Sequence, residues 1–176
     1  EGIVDLFGVS VSLSANGNRL AVGAEANDGT GTNAGHVRVF EYSGGTWSQL
    51  GGDIDGEAAG NYSGGSVSLN SDGMRVAIGA YGNESSTGHT RVYELSGTTW
   101  VQMGSDIDGE AANDQSGISL SVSLSLDGTR VAIGAPGNDG NGADAGHVRI
   151  YDWNGSDWIQ YGAADIDGEA AGDGSG

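Results

Sequence analysis

Val9, Val11 and Leu13 alternate with Ser10, Ser12 and Ser14, and the same period of two returns further along the chain. Leu20 and Val22 flank Ala21, Val37 and Val39 alternate with His36 and Arg38, and Thr46-Trp47-Ser48-Gln49-Leu50 forms a fourth short run. Successive side chains of a strand leave opposite faces, so such alternation predicts half-buried β-strands, here near 7–14, 19–25, 35–43 and 46–53. Asn16-Gly17 falls between the first two runs, where a tight hairpin needs residues that tolerate positive φ. No window shows helical periodicity with caps, and Pro136 is the only proline.

The pattern repeats. Val11-Ser12-Leu13, Val67-Ser68-Leu69 and Val122-Ser123-Leu124 stand 56 and then 55 residues apart. Each is followed by Arg-x-Ala-x-Gly-Ala (from Arg19, Arg75 and Arg130), Gly-His-x-Arg (His36, His89, His147) and Trp-x-Gln (Trp47, Trp100, Trp158). Each unit closes with Asp-Ile-Asp-Gly-Glu-Ala-Ala, beginning at Asp53, Asp106 and Asp165. Four antiparallel strands in a tandem unit of this length are expected to be propeller blades, because one small sheet cannot cover both its own faces and must pack on its neighbour. The expected fold is therefore all-β: three four-stranded antiparallel sheets in tandem, an arc of a larger ring. Residues 1–57 form the first blade, 58–112 the second, and 113–176 the third with the start of a link to a following blade. Small residues in the second strand, such as Ala77, Gly79 and Ala80, suit close approach of sheets. Three blades cannot close a ring that takes about four to eight. The arc is expected to be completed by further blades of a parent chain, the preferred reading, or by a second copy.

Composition narrows the function. With 35 Gly, 7% aromatic residues and no Cys, a helical core, a disulfide framework and thiolate metal sites are all excluded. The 24 acidic residues face 6 basic ones, all Arg, for a net charge of −18. Nucleic acid and anionic membrane are poor partners for such a chain, since phosphate binding needs clustered cations. Divalent cations or basic partners suit it better, although the plain reading is a well-solvated surface. No segment approaches the roughly 20 apolar residues of a membrane helix, so no membrane insertion is expected in this segment.

Phe7-Gly8 before the Val-Ser-Val-Ser run, Ala21-Val22-Gly23-Ala24, and Ala132-Ile133-Gly134-Ala135-Pro136 resemble the FG-GAP repeat of integrin α-like propellers and other surface proteins. The resemblance covers essentially the whole chain and implies an extracellular or cell-surface propeller with adhesive or scaffolding duties. The literal Phe-Gly is confined to the first unit and the literal Gly-Ala-Pro to the third; the others read Gly23-Ala24-Glu25 and Gly79-Ala80-Tyr81. Many family members bind Ca²⁺ in a long acidic loop between the first two strands. This chain has only a tight turn there, such as Ser71-Asp72-Gly73, which cannot gather six to eight oxygens.

The Asp-Ile-Asp-Gly-Glu motif is the main candidate for chemistry. Asp53, Asp55 and Glu57, with Asp106, Asp108, Glu110 and Asp165, Asp167, Glu169, place alternating carboxylates before and after a glycine, so Ca²⁺ is the candidate cofactor. Three structural readings compete with it: a solvated loop, a cap on the crossover between blades, or pairing with Arg38, Arg91 and Arg149, which lie mid-strand where a covered charge needs a partner. Asn27-Asp28-Gly29 and Asn138-Asp139-Gly140-Asn141 are a weaker second candidate, and their counterpart Asn83-Glu84-Ser85-Ser86 is shorter. The histidines fall one per blade at equivalent points, which keeps them apart and speaks against transition-metal or acid/base work. Each Trp opens an outer strand and is expected to cover a blade edge, with glycan stacking as the sharper alternative. Asn61, Asn83 and Asn154 open Asn-x-Ser glycan acceptor patterns.

No Gly-x-Ser-x-Gly elbow with partners, phosphate loop or Cys nucleophile is present. The expected function is thus a non-enzymatic extracellular repeat module, for adhesion or as a unit of a surface layer or fibre, meeting another protein or a glycan at the cell surface. A lectin-type propeller is the rival, and an enzyme whose channel site is completed by other blades comes third.

Overall fold

The computed structural model describes residues 4–176. The first sheet contains β1 (Ser10–Leu13), β2 (Arg19–Ala24), β3 (His36–Ser43), β4 (Thr46–Gln49) and β5 (Ile54–Asp55). The second contains β6 (Ser66–Leu69), β7 (Arg75–Ala80), β8 (His89–Ser96), β9 (Thr99–Gln102) and β10 (Ile107–Asp108). The third contains β11 (Val122–Leu124), β12 (Arg130–Ala135), β13 (His147–Trp153), β14 (Trp158–Gln160) and β15 (Ile166–Asp167). Every pairing between these strands is antiparallel and each sheet is a meander, β1-β2-β3-β4 in the first, so the chain is an all-β arc of three propeller blades.

Two details differ from the sequence reading. The fourth run is not one strand over 46–53: β4 pairs with the C-terminal half of β3, the chain breaks away at Gly51-Gly52-Asp53, and β5 returns to pair with the N-terminal end of β3. Gly51 has φ of 81°, a left-handed conformation open to glycine, and this is where the outer edge splits in two. The first strand is also shorter than 7–14, because Leu6 and Gly8 take positive φ before β1 begins. Asn83–Ser86 forms a tight turn in the shortened loop between β7 and β8, with Glu84, Ser85 and Ser86 at positive φ.

First strands of successive blades run side by side at the inner edge, β1 against β6 and β6 against β11. Serine holds them together. The Ser12 hydroxyl accepts the Leu69 N–H at 2.9 Å, and one blade on the Ser68 hydroxyl accepts the Leu124 N–H at the same distance. Ser66 takes the Val122 N–H at 3.2 Å, while the Ser10 hydroxyl donates to the Gly64 carbonyl at 2.6 Å. The serines that alternate with valine are thus stitches between blades, not solvent-facing filler.

The core consists of two apolar slabs between blades. In the first, Ala21, Val37, Val39 and Ile54 of one blade meet Val67, Leu69, Val76, Ile78 and Tyr93 of the next. In the second, Ala77, Val92, Met103 and Ile107 meet Val122, Leu124, Val131, Ile133 and Trp158. Position parity therefore decides which neighbour a side chain meets. Within β8, Arg91 and Tyr93 turn to the preceding blade and Val92 to the following one.

Val67 is 8% exposed, whereas its equivalent Val11, on the free face of the first blade, is 59% exposed. Val67→Asp is therefore expected to cost several kcal/mol by burying an unpaired carboxylate, and Val11→Asp less than about 0.5 kcal/mol. Thermal unfolding of the two variants checks this, and equal effects would show that the strand faces are misassigned.

Candidate functional site

The recurring acidic motif is resolved residue by residue. In its first copy the Asp53 carboxylate receives the Arg38 guanidinium at 3.2 Å and the Gln49 amide at 2.6 Å, all within one blade. Ile54 turns the other way, 5% exposed in the slab shared with the second blade. Asp55 lies opposite His36 across the β3–β5 pairing. A Cβ on Gly56 would stand 2.0 Å from the Ala34 carbonyl oxygen, and Gly109 and Gly168 meet Thr87 and Ala145 in the same way at 2.3 and 2.1 Å, so only glycine passes. Beyond this pinch Glu57 reaches the next blade, where its carboxylate stands 3.4 Å from Arg91.

The three carboxylates of one copy therefore do not gather at one point. Asp53 and Asp55 come together with His36, but Glu57 joins His89 and Asp106 of the second blade, and Glu110 joins His147 and Asp165 of the third. Sequence reasoning paired the carboxylates along the chain; the fold pairs them across the blade junction. In each of the two cross-blade groups the ligand-capable atoms lie within 4.8 Å of one another.

The arginines anchor these groups. Arg149 forms a two-point pair with Asp165 at 2.8 and 2.9 Å and also contacts Glu110 of the preceding blade. Arg91, 5% exposed, donates to the Asp55 carbonyl at 2.9 Å and faces Glu57, and its guanidinium lies 5.6 Å from the Tyr93 ring centre. The expectation that carboxylates sit near a cationic partner thus fits Asp53, Asp165, Glu57 and Glu110, while Asp106 faces the His89 imidazole at 3.5 Å and the Gln102 amide at 2.7 Å. The middle acids Asp55, Asp108 and Asp167 form no ion pair among the described residues, and Glu169, at the free end, meets no following blade.

Charge states follow from these contacts. Burial lowers the basicity of His89, and the neighbouring Arg91 lowers it further, so this imidazole is held neutral. Asp165 is pulled below the ordinary carboxylate range by hydrogen bonds from Arg149. Burial pushes Asp53 up, but the Gln49 and Arg38 hydrogen bonds outweigh it and the net shift is down. Asp108 moves the other way, raised by burial.

The other candidates have structural roles. Trp100 and Trp158 donate their indole N–H groups to the Leu50 and Met103 carbonyls of the preceding blade, both at 2.9 Å, and so seal the junctions. Trp47, its equivalent in the first blade, stays 45% exposed beside Tyr42. Asn27 and Asn138 accept the N–H groups of Gly29 and Gly140, and Asp28 and Asp139 accept those of Asn33 and Asp144, which uses these oxygens to shape the loops. In the tight turns after the first strands, Asp72 and Asp127 accept the N–H groups of Met74 and Thr129 in the same manner.

No family model matches the chain, and no curated protein matches it. Solved structures share its fold. A putative 6-phosphogluconolactonase from Bacteroides uniformis superposes with a TM-score of 0.59 at 10% identity, over 93% of this chain and 42% of that one. Saccharomyces cerevisiae Sqt1 gives 0.57 at 14%, over 93% and 37%. The β-propeller domain of the Trilobed protease from Pyrococcus furiosus gives 0.51 at 11%, over 90% and 41%. The chain spans about two fifths of the length of these structures, and at such identities the likeness is one of fold alone.

The carboxylate shifts set the response to acid. Asp108 and Glu25 are raised by burial above 3.8 and 4.5, so on acidification the folded form takes up these protons first and gains stability. Asp53, Asp165 and Asp127 are lowered, the last to about 2 by the Ser125 hydroxyl and the Thr129 N–H, so their contribution is full above 3.8 and is lost as pH falls through the folded values. His89 opposes that gain, because its folded form resists the proton that the unfolded form takes up below 6.5. The melting temperature is therefore expected to fall most steeply between about pH 4 and about pH 2, where the lowered carboxylates take up protons. A melting temperature unchanged across that interval would contradict these assignments.

Proposed function

We propose that this chain is a non-catalytic propeller module of an extracellular or cell-surface protein, used for adhesion or as a building unit of a surface layer or fibre. One observation carries the reading: the recurring polar residues of each unit join one blade to the next instead of converging on a substrate pocket. Ser12, Ser68, Arg91, Arg149, Glu57, Glu110, Trp100 and Trp158 all make contacts across a junction. The resemblance to FG-GAP repeats adds the surface setting.

The end faces are what a larger ring needs. Ile166 is 58% exposed on the far face of the third blade, while its equivalents Ile54 and Ile107 are each 5% exposed inside junctions. The Ser175 N–H bonds the Ala145 carbonyl at 3.0 Å, just as Ser63 bonds Ala34 and Ser116 bonds Thr87, so the last residues lie where each following blade begins. Partners thus fall into two classes: blades of the same kind on the end faces, and a protein or glycan on the rim and loops.

Trp47 keeps a second reading in view, because its open ring beside Tyr42 could stack a sugar. Gly176 occupies in the third blade the place that Gly64 and Gly117 occupy in the first two, against Gly134, Gly23 and Gly79 in turn. Residues 1–176 joined directly to residues 9–176 should therefore build a new internal junction and unfold in one transition, several degrees above the single chain. Two transitions, or an unchanged melting temperature, would rule the end faces out as junctions. Saturable glycan binding by the single chain that Trp47→Ala removes would replace the structural reading with the lectin one.

A further inference from the structure

His147 opens β13 with its side chain 4% exposed, and its Nδ1 is buried without a hydrogen-bond partner. That nitrogen faces Asp165 Oδ2 at 3.6 Å and Glu110 Oε2 at 3.9 Å, both too long for hydrogen bonds. Arg149 explains how the two carboxylates are presented. It grips Oε1 of Glu110 and leaves Oε2 turned to the imidazole, and its two-point pair fixes the Asp165 carboxylate with Oδ2 on the same side. Asp167 stands opposite His147 in the strand pairing and adds a third negative charge. Three carboxylates against one guanidinium leave a local charge of −2 around a buried imidazole nitrogen that has no hydrogen-bond partner.

We propose that Glu110, His147 and Asp165 form a binding site for a divalent transition-metal ion of the Zn²⁺ class, and that Glu57, His89 and Asp106 form its repeat one junction earlier. One imidazole nitrogen and two carboxylate oxygens are the ligand set that borderline ions accept, whereas Ca²⁺ takes oxygen ligands in larger number. Tetrahedral coordination at about 2.0–2.2 Å sets ligand atoms roughly 3.3–3.5 Å apart, so the observed 3.6 and 3.9 Å need only a small contraction. In the earlier site His89 Nδ1 already stands 3.5 Å from Asp106 Oδ2, and Gln102 holds Oδ1 of the same carboxylate at 2.7 Å. A divalent ion brings the local charge to zero in both places. Arg149 and Arg91 act as positioning residues that fix the carboxylates from outside. Because glutamate comes from one blade and histidine and aspartate from the next, each ion would clamp a junction. Among the described residues of the first blade, His36 groups with Asp53 and Asp55.

Calorimetric titration of the whole chain with ZnCl₂ tests this. The expected result is saturable binding at the two junction sites, with a melting temperature raised by several degrees in Zn²⁺ and restored by chelator. His147→Ala should remove one ion, and adding His89→Ala should remove the other. Glu110→Gln, which keeps volume and can still bond Arg149, should weaken one site by at least about tenfold while leaving the metal-free melting temperature near that of the parent. Equimolar Ca²⁺ should not displace Zn²⁺. Absence of saturable heat, a stoichiometry unchanged by His147→Ala, or equal competition by Ca²⁺ would each overturn the site.

Discussion

Everything in this chain depends on burial of one blade against the next. A four-stranded sheet whose longest strand has eight residues has two faces to cover and no second layer of its own. The sheets solve this by lending each face to a different neighbour, and strand parity allocates the side chains: Ala77, Val92 and Ile107 serve the slab on one side, Val76, Ile78 and Tyr93 the slab on the other. No blade has a private core, so stability is shared between neighbours in the manner of repeat proteins.

Polar groups obey the same allocation. His89 and Arg91 have the parity of Tyr93, so they face the preceding blade, and the glutamate that meets them must be delivered over the crossover. Gly56 and Gly109 open that passage because no Cβ fits between the crossover and the carbonyl it passes. A group of charged residues therefore forms at each junction without any long loop being devoted to it. The hydrophobic slab and the polar cluster are two zones of a single interface, the first around the inner and middle strands and the second at the outer edge where β10 and β15 return to the sheet.

Much of this was legible in the sequence. Alternation of valine with serine located the first strands, the spacing of Val11, Val67 and Val122 marked three units, and the Asn-Gly and Asp-Gly pairs marked the hairpins. The split of the outer strand was not legible, because Gly51-Gly52 reads equally as a strand end or a bulge until pairing partners are known. The grouping of the acids was missed for a related reason. Proximity along the chain suggested that Asp53, Asp55 and Glu57 act together, but a β-strand separates alternate side chains from the intervening one and a crossover then sends the last residue to another sheet. The even spacing of the histidines correctly implied that they stay apart from one another. It said nothing of the carboxylates each would meet, and only the pairing of His89 with Asp108 and of His147 with Asp167 brings those into view. A signal did exist: glutamate recurs in register with histidine one unit later, which is the sequence trace of a contact across a junction.

The junction also has a direction. Serine hydroxyls of one blade accept from the backbone of the following one, glutamate is handed forward, and indole N–H groups point back, so the front and back of a blade are unlike surfaces. Such a unit is not self-complementary and can be extended only head to tail. For the gene this makes whole-unit duplication or loss the mildest large change available, since each copy brings a matching front and back and every junction is remade intact. A length change smaller than a unit does occur in the loop between the second and third strands, where the middle blade makes do with the short turn at Asn83–Ser86 and its Ser85 and Ser86 carbonyls still accept from the backbone of the chain leading into the third blade.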